Sequence, residues 1–448
     1  VNHAASGRSL AFGELVADAA KLAPPAQPAL KSRAELTLAG RGWPRLDSRE
    51  KCTGTATYSA DFRVPGMLYA CGRMSPVFKA EAVRFDATAA KRVPGVVDVV
   101  RVPGGVAVVA RTSWAAIRGA DALEVEFEAL PVAKVSSAEI SAAMREGLGA
   151  TDAVVHKDAP DAAELFAKAA RTLEQDYEVP YLAHAPMEPW SCTVRPNADG
   201  TLDVWAPIQA QDRALTGAAA IAKLPPERIC LHTLTLGGGF GRRANPESDF
   251  VVEAIEVAKA SGLPVQTLRT REDDMRGGWY RPQGAARLTA ALGADGRPLA
   301  WTHTAVVQPI LKGTIFEAYG VDKASGLDAT TFEGAKELPY AIPNVRLEVH
   351  EYRAPVPVLW WRSVGHTHTA FVIESFIDEC AHAAQEDPLA YRLALLGKQP
   401  RHAGVLQLAA DRAGWGTPLP AGRARGIAVH HPFERWAACV GEVSLVDG

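Results

Sequence analysis

Long apolar runs are missing from this 448-residue chain. None approaches the roughly 18 residues that a membrane-spanning helix needs. Charge of one sign is missing too, since 48 basic residues stand against 51 acidic ones for a net charge of −3. Such a balance leaves no electrostatic footprint for nucleic acid or an anionic membrane. Cysteine is sparse, and Cys52, Cys71, Cys192, Cys230, Cys380 and Cys439 lie far apart with no Cys-x-x-Cys among them. That spacing argues against a zinc ribbon or an iron–sulfur cluster with clustered ligands, and reads most of the six as small buried apolar residues. No Gly-x-Ser-x-Gly elbow is present, which disfavours a nucleophile-type hydrolase. No basic-then-apolar leader follows Val1, and the last residues, "ACVGEVSLVDG", read as a strand just reaching a turn. The chain therefore reads as a piece of a longer polypeptide, cut at both ends, with its compartment open between bacterial periplasm and cytoplasm.

What is present is ordinary globular composition, 48% hydrophobic, in a length that accommodates two or three domains. Residues 1–36 contain a helical segment, "FGELVADAAKL", and a proline-rich connector, "APPAQPALK". Residues 37–135 alternate short strands with turns and one helix, the pattern of a compact α+β module. From about 150 to 448 the chain alternates helices and strands, including "LDVWAPIQAQ" leading into "RALTGAAAIAKL" and, later, "FVIESFIDECAHAAQ" as a helix. The fold class is α+β.

One stretch stands out, "LGGGFGRRANPESD" from Leu236 to Asp249. Upstream, "RICLHTLTL" has strand length and β-rich composition. Downstream, Asn245 as N-cap, Pro246 in the first turn and "FVVEAIEVAKASG" predict a helix ending at Gly262. Strand, glycine loop and helix in that order suggest a phosphate cradle. The spacing fits neither phosphate-binding pattern: a dinucleotide fingerprint needs glycine where Arg242 stands, and a Walker loop needs Gly-Lys followed by Ser or Thr. Two readings remain, a glycine turn packed close to its neighbours, or a loop whose amides face an acceptor-rich ligand.

Together with "RLDSREKCTGTATYSADFRVPGMLYA", "WAPIQAQ", "REDDM" and "WWRSVGHTHTAFVIESFIDE", the loop gives a series of ordered patterns. The chain resembles the large molybdenum-binding subunit of the xanthine dehydrogenase and aldehyde oxidase family over nearly its whole length. Its "GGGFGRR" is similar to the isoquinoline 1-oxidoreductase beta subunit branch. The resemblance implies that residues 1–36 end a preceding molybdopterin-binding segment, that 37–135 form an α/β-hammerhead domain, and that 150–448 form a molybdopterin-binding domain incomplete at its C-terminus. It implies a molybdenum-bearing molybdopterin, in the cytosine dinucleotide form, held by Gln209, Gly238, Gly239, Phe240, Gly241, Arg242 and Arg362. Gln209 would donate from its neutral amide, with Gln211 as a nearby competitor. Arg362 would offer a planar fork to an acceptor-rich group. Arg242 and Arg243 either reach pterin phosphates or are merely solvated.

The substrate pocket expected from the resemblance includes Ala244, Trp361 and Val364. Purine-oxidising relatives carry a glutamate where Ala244 stands and an aromatic where Val364 stands, so a purine would enter without partners for its polar groups. An isoquinoline-like N-heteroaromatic or an aldehyde fits better. Trp190, Trp279, Trp360 and Trp361 lie near the motifs, either lining that pocket or packed in core and contacts. His366 and His368 are placed on one face of a strand, as ligands or, more commonly for two histidines alone, as packed side chains.

The activity implied is hydroxylation with oxygen from water, helped by a general-base glutamate of a later motif beyond this chain. Glu442 lies in an apparent strand and is not that base. Electrons would leave to a small partner subunit with two [2Fe–2S] clusters, and from there to a cytochrome or other acceptor. As a fragment the chain would not turn over alone; the alternative is a non-catalytic scaffold of the same fold.

Overall fold

The computed structural model describes residues 1–446. It divides into two compact units, Val1–Ala56 and Thr57–Gly448. The first holds a two-stranded ladder (Asn2–His3 with Arg8–Ser9) and helices Phe12–Ala19 and Ser48–Thr53, and none of its residues is buried.

The second unit begins with strand β1 (Leu68–Met74), the short β2 (Ala82–Asp86), β3 (Val96–Val102), β4 (Gly105–Ala110), helix α1 (Ser113–Asp121) and β5 (Glu124–Phe127). β4 is buried along its whole length, as its unbroken run GVAVVA requires. Helix α2 (Ser137–Gly147) starts with a capping box, the Ser136 hydroxyl accepting from Glu139 N while the Glu139 carboxylate accepts from Ser136 N.

Then follow β6 (Val154–Lys157), β7 (Arg171–Val179), β8 (Ser191–Pro196), β9 (Leu202–Ala206), α3 (Gln211–Ala222), β10 (Ile229–Thr233), α4 (Asp249–Ser261) and β11 (Val265–Leu268). The last third supplies α5 (Arg271–Arg276), β12 (Gly284–Leu292), β13 (Pro298–Val307), β14 (Asn344–Glu351), α6 (His366–Ala383), α7 (Pro388–Leu395), α8 (Pro400–Ala413) and the hairpin β15 (Arg423–His430) and β16 (Ala437–Ser444).

A seven-stranded mixed sheet runs β10-β9-β8-β11-β1-β4-β3. The parallel register of Leu68–Cys71 against Val265–Leu268 joins the strands of 37–135 to those of the later segment in one sheet. One face of β8 and β9 packs Cys192, Val194 and Val204 against α3 and α4, with Trp190, Phe250 and Ile255 filling the layer. A five-stranded sheet, β6-β14-β13-β12-β7, carries the largest core, where Leu288, Trp301 and Leu347 meet Phe376, Ile377 and Tyr391 of the C-terminal helices. Each large side chain so buried contributes about 1.5–3 kcal/mol.

Three expectations need correction. The helix after the glycine loop starts at Asp249 with Ser248 at the N-cap, because Asn245 Oδ1 accepts from Glu247 N in a local turn and spends the expected cap three residues early. His366 and His368 lie in the first turn of α6 rather than on a strand. Of the six cysteines only Cys71, Cys192 and Cys380 are buried, while Cys52, Cys230 and Cys439 are exposed.

Candidate cofactor site

Two loops of the second unit are built against each other. The first leaves β10 and passes through Gly237, Gly238 (φ +113°), Gly239, Phe240 (φ +53°) and Gly241 (φ +101°) before a short turn at Arg242–Ala244. Close approach explains most of the bare backbone. A Cβ on Gly239 would lie 2.5 Å from Gln209 Oε1, and one on Gly241 would lie well under 3.0 Å from the Trp360 carbonyl oxygen. Positive φ supplies the remainder at Gly238 and Gly241. Close approach and positive φ thus act together, and both belong to the reading of a glycine turn packed close to its neighbours.

Gln209 is knitted into this loop. Its N–H donates to Arg243 O at 3.0 Å, and its Oε1 accepts from Gly241 N and Arg243 N, each at 3.2 Å. With the amide oxygen facing two N–H donors, the side-chain NH2 is left as an exposed donor. Gln211 is exposed as the first residue of α3 and makes no hydrogen bond to the loop among the described residues.

The second loop, Leu359–Gly365, feeds α6. Arg362 N donates to Phe240 O at 2.9 Å, locking the two loops together. Ser363 (φ +70°) and Val364 (φ +49°) are successive left-handed residues, a costly conformation for a β-branched side chain. Val364 N donates to Trp361 O at 2.7 Å and Thr367 Oγ1 to Arg362 O at 3.0 Å, so the strain is held by local bonds. The Arg362 guanidinium is exposed and has no hydrogen-bond or ion-pair partner among the described residues. The buried Trp361 indole N–H has no acceptor.

Three groups that hold these loops carry no sequence signal of their own. Glu188 accepts from Gly237 N and Ala60 N, both at 2.9 Å, while its own N–H donates to Gly237 O. Glu333 accepts from Gly365 N at 2.8 Å, and burial raises its carboxyl above the usual range. His184 is buried with one ring nitrogen 3.1 Å from Trp279 O and the other 3.1 Å from Trp360 O. Only an imidazolium donates to both, yet burial is the larger influence and pushes its pKa down to about 4. At neutral pH the ring therefore donates once.

The two arginines after the loop are neither solvated nor free for a phosphate. Arg242, 3% exposed, forms a two-pronged pair with Asp249 at 2.9 and 2.6 Å. Arg243, 2% exposed, donates to Glu188 O at 3.1 Å and faces Asp274 at 4.0 Å. Asp274 belongs to the "REDDM" segment, whose Arg271 also donates to Met187 O at 3.0 Å, so that motif supports the loop from behind.

Of the tryptophans, Trp190 is core, packed on Phe250 and under Arg269. Trp279 lines a cavity of about 410 Å³ with Met74, Phe78 and Pro357. Ala244, Trp361 and Val364 do not line that cavity; they sit on the two interlocked loops. Glu442 in β16 is paired with Arg425 and Arg423, whose hydrogen bonds hold its carboxyl below the usual range.

Residues 149–395 match the family described as the molybdopterin cofactor-binding domain. The chain belongs to that family. It is 32% identical to isoquinoline 1-oxidoreductase subunit beta of Brevundimonas diminuta, over 93% of this chain and 54% of that protein. It is 30% identical to the membrane-bound aldehyde dehydrogenase [pyrroloquinoline-quinone] of Gluconacetobacter polyoxogenes, over 98% of this chain and 62% of that one. Quinoline 2-oxidoreductase from Pseudomonas putida 86 shares the fold with a TM-score of 0.67 at 20% identity, covering 86% of this chain and 56% of that one. The chain thus spans between half and two thirds of the length of these relatives. No helix among the described residues is long and apolar enough to cross a membrane.

The site suits the family's cofactor in its donor chemistry. Gln209 NH2 and the Arg362 guanidinium are exposed donors on the two loops, the buried Trp361 indole N–H lacks an acceptor, and the glycines let the loop close onto Gln209 and Trp360.

Proposed function

We propose that this chain supplies the cofactor-holding part of a molybdenum hydroxylase large subunit. The observation that carries the reading is the Gln209 amide, whose oxygen is taken by two loop N–H groups so that its NH2 is a fixed outward donor. Gln209, the backbone of Gly238, Gly239, Phe240 and Gly241, and the Arg362 guanidinium would hold a molybdopterin, in the cytosine dinucleotide form. Arg242 contributes through its backbone, its guanidinium being engaged by Asp249. When bound, the group supplies a two-electron centre for delivering water-derived oxygen to an electron-poor carbon.

The chain's own residues position and select. Preorganised donors such as Gln209 cost no reorganisation when charge develops beside them. Ala244, Trp361 and Val364 give the substrate an apolar surface, suited to an isoquinoline-like ring or an aromatic aldehyde; one relative's name carries isoquinoline and another's carries aldehyde. No described glutamate is proposed as the base, because Glu188 and Glu333 are committed to backbone N–H groups and Glu442 to two arginines. We read 37–135 as the hammerhead part, 150–448 as the cofactor part and 1–36 as the end of a preceding cofactor segment. A partner subunit with two [2Fe–2S] clusters would receive the electrons.

Two experiments on the complex reconstituted from the complete gene product test this. Gln209→Ala is expected to lower kcat by about 10²–10³-fold, the usual cost of one such donor, while molybdenum content is retained. Gln211→Ala should be silent, and the reverse pattern would sink the assignment. In a substrate panel, kcat/KM should be highest for isoquinoline, quinazoline-type heterocycles or benzaldehyde. Hypoxanthine as the best substrate would refute the apolar pocket.

A further inference from the structure

Away from the two loops, β9 and β10 bring three potential ligands together on the sheet face opposite α3 and α4. Leu202, Val204 and Ala206 point into the core, so Asp203 and Trp205 point the other way. In the parallel register Asp203 sits across from Cys230 and Trp205 across from His232. Cys230 and His232, two residues apart, therefore share that outer face with Asp203. One ligand atom from each of Asp203, Cys230 and His232 lies within 4.8 Å of the others.

The surroundings orient these side chains as ligands need. Asp203 Oδ2 is taken by Arg195 at 2.6 Å and by Asn197 at 2.9 Å, leaving Oδ1 toward His232 Nε2 at 3.2 Å. Desolvation alone would raise the Asp203 carboxyl, but hydrogen bonds from Asn197, Arg195 and His232 outweigh it and hold it below the usual range. The His232 ring stacks on Trp205 at 4.8 Å with 9° between planes, which fixes its direction. Partners of this kind, one step outside the ligands, fix carboxylate and imidazole orientation at metal centres. Cys230 is exposed, so an ion has access.

We propose that Asp203, Cys230 and His232 form a binding site for a divalent zinc-class metal ion, with its fourth position open to solvent. Sulfur, imidazole and carboxylate are the zinc donor types, with bonds of about 2.0–2.3 Å. Tetrahedral ligands at those lengths stand about 3.3–3.8 Å apart, so the three side chains need close by only about an ångström. The bound ion would cross-link the edge strand β10 to β9 just before the glycine loop. This site is independent of the molybdopterin reading.

The test uses the full chain under reducing conditions, titrated with Co²⁺ and then with Zn²⁺ against a chromophoric chelator. One ion per chain is expected, with a thiolate-to-cobalt charge-transfer band that Zn²⁺ displaces. Cys230→Ser should abolish the band, and Cys230→Ser, His232→Gln and Asp203→Asn should each weaken Zn²⁺ binding at least tenfold. Cys52→Ser and Cys439→Ser, at the two other exposed cysteines, should change neither readout. Absence of binding in the parent chain, a band that persists in Cys230→Ser, or unchanged Zn²⁺ affinity in the Cys230 and His232 variants overturns the site.

Discussion

Replacing Gly241 by alanine is expected to abolish molybdenum loading and lower the melting temperature, whereas Gly404→Ala leaves molybdenum loading unchanged and does not lower the melting temperature. Two costs coincide at Gly241. Its φ of +101° lies where an L side chain is strained by about 1–3 kcal/mol. Its Cβ would also collide with a backbone atom, the Trp360 carbonyl oxygen, rather than with a side chain that can swing away. Relief requires the two loops to part, breaking the bond from Arg362 N to Phe240 O and moving Gly241 N off Gln209 Oε1. A total of roughly 3 kcal/mol or more is expected, and the donor array is lost with it. Gly404, inside α8 with open space around it, gains helix propensity on the same change. Metal analysis and calorimetry on both variants decide the matter, and normal molybdenum content in Gly241→Ala would remove the loop from the cofactor site.

The glycine loop was legible in the sequence because its causes are local. Strand composition before it, glycines within it and Gly262 as the left-handed helix end all act over a few residues. The contact of the Gln209 amide with Gly241 and Arg243 is one that the sequence cannot supply. The fates of Arg242 and Arg243 were illegible because their partners, Asp249, Glu188 and Asp274, are identified only once helix, loop and sheet have packed. Glu188 and Glu333 were missed for the same reason: a carboxylate that clamps a distant backbone N–H leaves no period or spacing behind. The spacing of His366 and His368, two residues apart, fits one face of a strand, yet both lie in the first turn of a helix. The left-handed pair Ser363–Val364 turns the chain there, and the helix starts one residue after Gly365. The same limit hid the Asp203–Cys230–His232 group, since only parallel pairing of β9 with β10 brings residues so far apart in sequence to one face.

Acidification from pH 7 to pH 4 is expected to unfold the chain, and buried histidines are the reason. Burial lowers the pKa of His184 to about 4, of His303 to about 3 and of His368 to about 4, from an ordinary value of 6.5. His366, His402 and His430 shift in the same direction, again chiefly through burial. A depressed folded-state pKa means that the unfolded chain binds more protons at pH values between the two pKa values. The stabilisation is therefore complete above about pH 6.5 and is lost as pH falls toward the folded-state values. At about 1.36 kcal/mol per pH unit for each group, the three most buried rings together cost on the order of 10 kcal/mol by pH 4. That is comparable with the whole stability of a typical domain, about 5–15 kcal/mol. Glu253, Glu333 and Glu374 act the other way, because burial raises their carboxyls and protonation relieves it, but the histidines are twice as many. Urea midpoints measured from pH 7.5 to pH 4 should fall steeply below pH 6.5. His303 has a buried Nε2 without a partner, so His303→Gln, which takes up no proton, should flatten that slope by one group's share. A urea midpoint that stays level down to pH 4 would show that these rings are open to water and that the packing described around them is wrong.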